Sequence, residues 1–351
     1  MNNSLALAAA TLAAAPVSAA NAAETDIEEI PVTTQLRETT LADVPASVTA
    51  LDSATIESAG LQHFEELTQL VPNLNWSGEG ARARYFQLRG TGELEQYEGA
   101  PNPSVGFIID DIDFSGLGGA GTLFDAERIE VLRGPQGTRY GANALAGLVY
   151  FQSVAPGFEP EAWVEATGGN ADTLAVGGAA GGALPGTGDT LAWRLSGNLY
   201  RNNGFRDNVF LGRDDTYERD ELTARARLRW VPNDDWRVDF TGLYVDLDNG
   251  YDAFAIDNGF TTYSDKPGRD AQQTLAGSLR VEGDLNAALR LVSITALADS
   301  DIDFSFDADW GNDDFWNQPQ FGNSTYDYTS QNLRDRRTLT QEFRLLSNEQ
   351  G

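Results

Sequence analysis

Three aspartates close together in the sequence are the first residues whose types and spacing could do chemistry. Asp110, Asp111 and Asp113 lie in the segment VGFIIDDIDF. Carboxylates this close together can bind a divalent cation or act as an acid and a base in catalysis. They stand, however, between two apolar runs where the chain must turn, and aspartate favours tight turns. The sequence therefore predicts a solvated hairpin here and no catalytic or metal site.

A second acidic segment, DADWGNDDF, is a candidate calcium loop. It begins at Asp307, and its aspartates alternate with other residues as in an EF-hand. An EF-hand loop needs glycine at its sixth position and a bidentate glutamate at its last. Asn312 and Gln318 stand at those two positions. The sequence therefore predicts a solvated loop, and we expect no metal site.

Histidine and cysteine, which supply many ligands and nucleophiles, are almost absent. His63 is the only histidine, and the cysteine count is zero, which excludes a disulfide framework and thiol chemistry. A single histidine on a short helix is more often a surface residue than a metal ligand. We therefore expect His63 on the helix surface, and we expect no cofactor.

The charge of the chain excludes one large class of partners. Among 351 residues there are 53 Asp plus Glu against 24 Lys plus Arg, and Lys266 is the only lysine. Binding to nucleic acid needs a basic surface that displaces counterions from phosphates. Nucleic acid is therefore not an expected partner, and the acidity favours solubility in a salty medium.

An arginine followed by a glycine ends each of two apolar segments of the chain. The predicted strands that contain these segments position the two arginines. Leu88–Gly90 and Leu132–Gly134 both have the sequence LRG, so each predicted strand delivers an arginine to its end and a glycine turns the backbone away. Two short helices precede these strands. An α+β unit of roughly 115 residues is indicated, and its four predicted strands are YFQLRGTG, SVGFIIDDIDF, RIEVLRG and LVYFQS.

The residues after about position 160 alternate between apolar and polar with a period of two. In LTARARLRW, which begins at Leu222, every second residue is apolar and those between are Thr or Arg. LAWRLSGNLYR and WRVDFTGLY repeat this pattern, which puts Leu195 on the apolar face and Ser196 opposite. Apolar-out, polar-in segments of about ten residues are typical of transmembrane β-barrels. A soluble β-sandwich shows the same alternation, so the period alone does not decide.

The lengths of the connections favour the barrel. From the second strand onward, short connections alternate with long acidic ones, as in outer-membrane barrels, which have short turns on one side and long loops on the other. The last long connection is also rich in aromatic residues. We predict about eight strands, near 162–169, 172–183, 189–200, 221–231, 236–246, 272–282, 288–299 and 335–346.

The first residues have the features of an export signal. An apolar core is followed by Pro16 and by Ala20-Asn21-Ala22, which satisfies the A-x-A cleavage pattern. The usual positive charge before the core is missing. We expect a signal peptide over residues 1–22 and a flexible arm over residues 23–37, with a strand-like stretch from Ile30 to Thr34.

The order of these segments resembles the plug domain of the TonB-dependent outer-membrane receptors over about residues 38–155. The resemblance is carried by VPASVTALDSATIESAGLQHFEELTQLVPNL, FQLRGTG, VGFIIDDIDF and RIEVLRGPQGTRYGANALAG. It implies an α+β plug domain followed by antiparallel transmembrane β-barrel strands in residues 160–351. Because eight strands enclose only their own side chains, we expect an incomplete barrel and hence the N-terminal part of a longer receptor.

The resemblance also implies roles for individual residues. Arg89 and Arg133 are implied to contact barrel glutamates, and Glu342 in TQEFRL is the first candidate partner. Glu28 to Gln35 is similar to the TonB box, which a TonB-type periplasmic energy-transducing protein captures by β-augmentation. The TonB-box residues are Glu29, Ile30, Pro31, Val32, Thr33 and Thr34, and the other plug-motif residues are Gly90, Gly134, Pro135, Gly137, Tyr140 and Gly141.

The implied function is energised uptake of a scarce nutrient across the outer membrane of a Gram-negative bacterium. A ferric siderophore, cobalamin or a carbohydrate is the candidate cargo, and outer-membrane lipid surrounds the strands. No bond of the cargo changes, so no catalytic residue is expected. Two alternatives remain open: an exported carbohydrate-active enzyme or binding module, whose acidic loops and tryptophans would line a sugar cleft, and a nonfunctional receptor fragment.

Overall fold

The computed structural model describes residues 31–32, 39–40, 46–78, 80–94, 103–141 and 143–348. The predicted signal peptide, residues 1–22, lies outside the described residues, as does most of the arm, residues 23–37. Of the predicted TonB box, Glu29, Ile30, Thr33 and Thr34 also lie outside them. The other two residues form β1 (Pro31–Val32), which pairs in antiparallel fashion with β2 (Thr39–Thr40).

The N-terminal unit, called the plug here and described from residue 46 to 155, is built around a five-stranded sheet with the order β3-β8-β9-β6-β7. Strands β4 and β5 form a separate pair. The predicted strands are confirmed, and the second predicted helix is a short 3-10 helix, Phe64–Gln69. The elements are β3 (Ser47–Asp52), α1 (Ser53–Ser58), β4 (Leu74–Ser77), β5 (Tyr85–Leu88), β6 (Val105–Ile109), β7 (Ile112–Asp113), β8 (Ala126–Arg133), α2 (Gly137–Tyr140) and β9 (Gly147–Ser153).

Aromatic packing forms the centre of the plug. Phe64 of the 3-10 helix is fully buried and lies edge-on to Phe107 and Phe151, with ring centroids 4.8 Å and 5.4 Å apart. Edge-to-face aromatic pairs stabilise by about 0.5–1.5 kcal/mol beyond the buried area. The 3-10 helix is thereby fixed on the sheet, which also fixes His63, the residue immediately before it.

The second unit, called the wall here, is an antiparallel sheet of eight strands in the order β10-β11-β12-β14-β15-β17-β18-β19. All eight predicted strands are confirmed, and most extend beyond their predicted ends. In the part of the chain that the structure describes, the sheet is not closed, and β10 and β19 are its edges. The strands are β10 (Glu161–Gly168), β11 (Leu174–Ala183), β12 (Leu191–Asn202), β14 (Arg219–Asn233), β15 (Trp236–Tyr251), β17 (Gly268–Asn286), β18 (Leu289–Asp307) and β19 (Thr329–Ser347).

The two faces of the wall follow the predicted alternation. Leu195 and Leu199 of β12 are 53% and 52% exposed, whereas Arg194 and Asn198 are buried against the plug. The inner face is not polar throughout, because Leu243, Val245 and Leu247 of β15 face the plug and join its apolar core. Both ionic and apolar contacts therefore hold the two units together.

The long connections all leave the wall at the same end, called the outer end here, and fold against one another. β13 (Asp207–Asn208) pairs in parallel with β16 (Thr261–Thr262). The buried Asp252 carboxylate accepts hydrogen bonds from Asn208, Thr216 and Thr262, at 2.8, 2.8 and 2.7 Å. The last connection contains α3 (Asp313–Trp316) and a 3-10 helix, Pro319–Phe321. No described helix is long and apolar enough to cross a membrane.

Candidate functional site: the contact between plug and wall

Buried charged side chains join the plug to the wall, and Glu221 near the outer end of β14 is the centre of one group. Its Oε2 accepts a hydrogen bond from Nη1 of Arg82 in the plug, and its Oε1 accepts one from Nδ2 of Asn249 at 2.9 Å. Arg82 also donates from Nη2 to the Gly121 carbonyl oxygen, 2.9 Å away. Burial lowers the pKa of Arg82, but Glu221 and Glu65 outweigh burial and leave this pKa raised. The guanidinium therefore stays charged.

His63 belongs to the same group, so its predicted position on a helix surface is wrong. The side chain is fully buried, its Nε2 lies 3.0 Å from Glu221 Oε2, and its ring packs edge-on against Tyr200. Burial and the charge of Arg82 lower the pKa of His63, but Glu221 and Glu66 outweigh them and leave it raised. Local sequence did not reveal this contact because Glu221 is 158 residues away along the chain.

A second ionic contact lies beside the first. Asp270 of β17 accepts from Arg84 Nη2 at 2.5 Å and from the backbone N–H groups of Ala81 and Arg82 at 2.8 and 3.2 Å. Gly80 has φ +115°, and a Cβ there would lie 2.2 Å from Asp270 Oδ2. Only glycine combines this backbone conformation with so close an approach. The plug loop before β5 is therefore fitted to the wall.

A third contact combines an ion pair with a close fit of shapes. Arg194 of β12 donates to Asp125 from Nε at 2.9 Å and from Nη2 at 2.5 Å, a bidentate arrangement that is both strong and directional. The neighbouring Phe124 ring lies against Gly177 of β11, where an added Cβ would be 2.3 Å from the ring carbon Cε2. Phe124 also packs on the ring of Trp163, with centroids 4.9 Å apart.

The hairpin between β6 and β7 is the fourth contact, and its predicted solvation is wrong. Asp110 and Asp111 have φ of 47° and 69°, which confirms the tight turn, yet Asp110 is only 6% exposed. Asp110 Oδ2 lies 3.2 Å from Arg225 Nε, and Asp111 Oδ2 lies 3.2 Å from Arg280 Nη1. Ser278 Oγ donates to the Asp110 carbonyl oxygen at 2.8 Å. The aspartates therefore attach the plug to the wall.

A polar cavity of about 470 Å³ separates plug and wall near the short turns. Its wall residues include Arg229, paired with Asp239 at 2.7 Å, and Arg280, paired with Glu282 at 2.6 Å. On the plug side, burial and the charge of Asp111 raise the pKa of Tyr150 far above its ordinary value. No group of three or more His, Asp or Glu side chains in the described ranges could hold a metal ion. The charged groups of this cavity therefore pair with one another, mostly within the wall, and Arg280 also pairs across the contact with Asp111 of the plug.

Arg89 and Arg133, the two arginines implied to reach the barrel, contact the plug itself. Arg89 Nη2 donates to Ser47 Oγ at 3.1 Å, and Arg133 Nη2 donates to Thr49 Oγ1 at 2.8 Å. Both acceptors belong to β3, which is the neighbour of β8 in the sheet. Burial and the nearby charge of Arg89 lower the pKa of Arg133, so the two guanidinium groups repel each other.

Glu342, the predicted partner of these arginines, lies on the plug-facing side of β19. Its Oε2 accepts from Arg344 Nη2 at 2.8 Å, and within the described residues it makes no ion pair with Arg89 or Arg133. The implied pairing is therefore absent from this structure, because β19 provides its own arginine two residues away. The nearest equivalents of the expected contact are the pairs formed by Arg82 and Arg84.

The other plug-motif residues lie in turns or in α2. Gly134 and Gly141 have φ of 104° and 87°, a region that other residues rarely adopt. The Tyr140 ring at the end of α2 lies 6.1 Å from that of Tyr150. The remaining three are Gly90, with φ 78°, Pro135, between Gly134 and α2, and Gly137, the first residue of α2.

Sequence reasoning missed most of the side chains that join the two units. The alternation along β12 and β14 placed Arg194 and Arg225 on the inner face. The sequence therefore predicted the position of the wall residue in each of these two ion pairs. The plug partners Asp125 and Asp110 carried no signal, since a carboxylate at a strand end or turn is ordinary. Arg82 lies in an irregular loop, where no periodicity indicates which side chains are buried.

Comparison with known proteins is consistent with this architecture. Residues 40–148 match the TonB-dependent Receptor Plug Domain family. The chain is 24% identical over 310 residues to "Vitamin B12 transporter BtuB" of Vibrio vulnificus (strain YJ016), covering 82% of this chain and 46% of that protein. It is 28% identical over 120 residues to the "Pesticin receptor" of Yersinia pestis, covering 34% and 17%. The chain therefore spans less than half the length of these relatives.

Solved structures share the fold at lower identity. The ferric yersiniabactin uptake receptor FyuA from Yersinia pestis superposes with a TM-score of 0.66 at 20% identity, covering 74% of this chain and 42% of that one. The siderophore receptor PiuA from Acinetobacter baumannii gives a TM-score of 0.69 at 16% identity, covering 89% and 44%. Residues 40–148 thus match the plug domain of the TonB-dependent receptors, and the plug with its antiparallel wall has the fold of outer-membrane receptors of known structure.

Proposed function

We propose that this protein takes up a scarce nutrient across the outer membrane, using energy delivered from the periplasm. The observation that carries the proposal is the way in which the plug is held against the wall. At least four ionic contacts, centred on Glu221, Asp270, Asp125 and Asp110, join the two units. A plug held by so many buried charges needs work to move, since a buried charge left without its partner costs about 3–5 kcal/mol.

The cargo class is proposed from the relatives. Their names include a vitamin B12 transporter and receptors for ferric yersiniabactin and siderophores, so a ferric siderophore or cobalamin is the first candidate and a carbohydrate the second. The cargo would bind at the outer end, where the long connections fold together. Uptake changes no covalent bond, so the proposal assigns no catalytic residue and no resident cofactor.

The proposed partner is a TonB-type periplasmic protein that captures the segment from Glu29 to Thr34. Two observations support it. Pro31 and Val32 pair as a short antiparallel strand with Thr39 and Thr40, and this extended backbone supports capture by strand addition. The segment also precedes β3 of the plug, so a pull on it would be transmitted to the plug sheet.

Arg89 and Arg133 keep a proposed role in holding the plug. Their guanidinium groups lie near each other and contact only neutral acceptors in the described residues, Ser47, Thr49 and the Pro72 carbonyl oxygen. Two like charges at a surface favour a carboxylate between them. We therefore propose that an acidic side chain of the barrel pairs with both, and Glu342 stays a candidate if β19 changes its contacts.

The test uses Val32→Pro and Val32→Ala in the receptor expressed from its own gene. Proline removes a backbone donor and fixes φ, whereas alanine leaves the backbone free to pair. We expect Val32→Pro to abolish energised accumulation of ferric siderophore or cobalamin while surface binding at low temperature is retained. Val32→Ala should be much milder. Normal accumulation by the proline variant would show that the segment is only a linker.

A further inference from the structure

The buried group around His63 has an uneven number of opposite charges. Three carboxylates meet there, Glu65 and Glu66 from the 3-10 helix of the plug and Glu221 from the wall. Two guanidinium groups face them, Arg82 from the plug and Arg219 from the wall. Glu65, Glu221 and Arg82 are buried, whereas the Glu66 and Arg219 side chains are 32% and 22% exposed. The three negative and two positive charges leave a deficit of one positive charge in this largely buried group, and buried charge is costly unless it is balanced.

His63 is the group that can supply this charge. Its Nε2 lies 3.0 Å from Glu221 Oε2, and its Nδ1 lies 3.8 Å from Glu66 Oε1. With both nitrogens protonated, the ring has one carboxylate of the wall on one side and one of the plug on the other. Burial lowers the pKa of His63, as does Arg82, but the carboxylates outweigh both and leave it raised.

The other neighbours of the ring do not offset this preference. Tyr200 of β12 presents a ring edge-on, with centroids 4.6 Å apart, and a neutral phenol adds no charge. Arg219 Nη1 lies 3.5 Å from Nδ1, but it also lies 3.5 Å from Glu65 Oε1 and donates from Nη2 to the Ala81 carbonyl oxygen at 3.0 Å. The Arg219 charge is therefore shared with a carboxylate.

We propose that His63 is a latch between plug and wall that is controlled by protonation. As an imidazolium it bridges Glu221 of the wall and Glu66 of the plug, and the group is then neutral. When it loses the proton, one bridge is lost and an unbalanced negative charge stays buried between the two units. The plug is held more firmly in acid and released more easily in alkali.

This latch rests on the proposed function, in which the plug must be displaced for cargo to pass. The contact lies in the outer half of the wall, because Glu221 is near the start of β14, just after a long connection. The pH of the outer half therefore sets how much force displaces the plug. His63 acts as a positioning residue, since it touches neither the cargo nor the TonB-type partner in this scheme.

The first measurement is an NMR titration of the receptor in detergent micelles with isotope-labelled histidine. His63 is the only histidine of the chain, so its imidazole signals follow this one group. We expect a midpoint above the ordinary histidine value of about 6.5. In Glu221→Gln two carboxylates oppose two guanidinium groups, so the midpoint should fall. A ring that is neutral at about pH 6 overturns the proposal.

The second measurement follows plug displacement without cargo or energy, so it is independent of uptake. The chain has no cysteine, and Ala120 is a fully buried residue of the plug core, so the thiol of Ala120→Cys is labelled only when the plug moves. Each labelling rate is divided by that of the fully unfolded protein at the same pH, because the thiolate that reacts is itself more abundant in alkali. In moderate urea we expect this relative rate to be higher at about pH 8.5 than at about pH 5.5, by about tenfold for each unit by which the native pKa is raised.

The matched control is His63→Gln in the same Ala120→Cys background. Glutamine keeps a hydrogen-bond donor but cannot titrate, so its labelling rate relative to the unfolded protein should be alike at the two pH values. If His63→Gln keeps the full pH dependence that Ala120→Cys shows alone, that dependence comes from other groups and the latch is overturned. If the latch is confirmed but Val32→Pro accumulates cargo normally, the latch stands and the segment from Glu29 to Thr34 is only a linker. If the latch is confirmed but the unaltered receptor accumulates no cargo in energised cells, the latch stands and the proposed energised uptake fails.

Discussion

Phe124 and Gly177 show how single residues decide where the plug sits. Gly177 leaves a gap in β11 that the Phe124 ring occupies, and a Cβ there would be 2.3 Å from Cε2. The adjacent Asp125 is held by Arg194 through a bidentate pair. An aromatic ring in a glycine gap next to a directional ion pair fixes both the depth and the rotation of this part of the plug.

Replacing Gly177 by valine should therefore displace the plug locally. We expect Gly177→Val to cost about 1–3 kcal/mol, the usual range for overpacking, and to speed trypsin cleavage within the plug of the purified receptor. Gly178→Val is the matched control, because Gly178 faces outward and its added Cβ would make only ordinary contacts, at 3.4 Å or more. Equal cleavage rates in the two variants would contradict the role given to this gap.

Residues of this kind mark the limit of what the sequence could predict. The positions of Gly90 and Gly134 in turns followed from local chemistry, because glycine tolerates the positive φ that both adopt. The burial of His63 did not follow, because it depends on Glu221, which a separate part of the fold brings within 3.0 Å. The predicted solvation of Asp110 was wrong for the same reason. The turn was predictable from sequence, but the contact of Asp110 with Arg225 on the facing wall was not.

At the scale of elements, the strands of the wall were the most predictable feature. A period of two over ten or more residues is a strong signal, and every predicted strand is present. The strand ends were less predictable, because β18 and β19 continue for 19 residues each. The added residues lie toward the outer end, where most outward-facing positions are polar and Leu333 is an exception, so the apolar alternation that defines a membrane strand is largely lost there.

The outward face of β12 gives a direct test of this element. Leu195 is 53% exposed on the outer face, and Ser196 points to the plug side. If Leu195 lies near the bilayer midplane, Leu195→Arg should destabilise the receptor by about 2–4 kcal/mol. Ser196→Arg should be milder, because the inner face is lined by polar groups and water. Urea unfolding of the receptor in lipid vesicles measures both, and equal losses would mean that the faces are assigned wrongly.

At the scale of the whole molecule, outward-facing residues of β12, β18 and β19 change from apolar to charged at a boundary, and Leu275 and Leu333 are exposed apolar residues at or beyond its level. Leu199, Leu297 and Leu339 are exposed by 52%, 47% and 72%. Two residues farther toward the outer end, charged side chains face outward instead. They form the pairs Arg201–Asp220 at 3.1 Å and Arg337–Asp299 at 2.5 Å.

This boundary explains the acidity of the chain in physical terms. An outer-membrane barrel carries an apolar band about 25 Å tall, and strands of 19 residues are much longer than that band at about 3.3 Å per residue. The excess length stands in water above the membrane together with the long connections. Aspartate is abundant there because it keeps an exposed sheet edge and its loops solvated.

The position of the boundary can be measured with single cysteines, since the chain has none. Leu297 and Asp301 both face outward on β18, four residues and about 13 Å apart along the strand. We expect a fluorophore on Leu297→Cys, in receptor recovered from outer membranes, to be quenched by brominated lipid and protected from aqueous iodide. The same fluorophore on Asp301→Cys should show the reverse, because it lies above the apolar band. Similar quenching at both positions would place the boundary elsewhere, and quenching by iodide alone at both would remove the membrane from this face of the sheet.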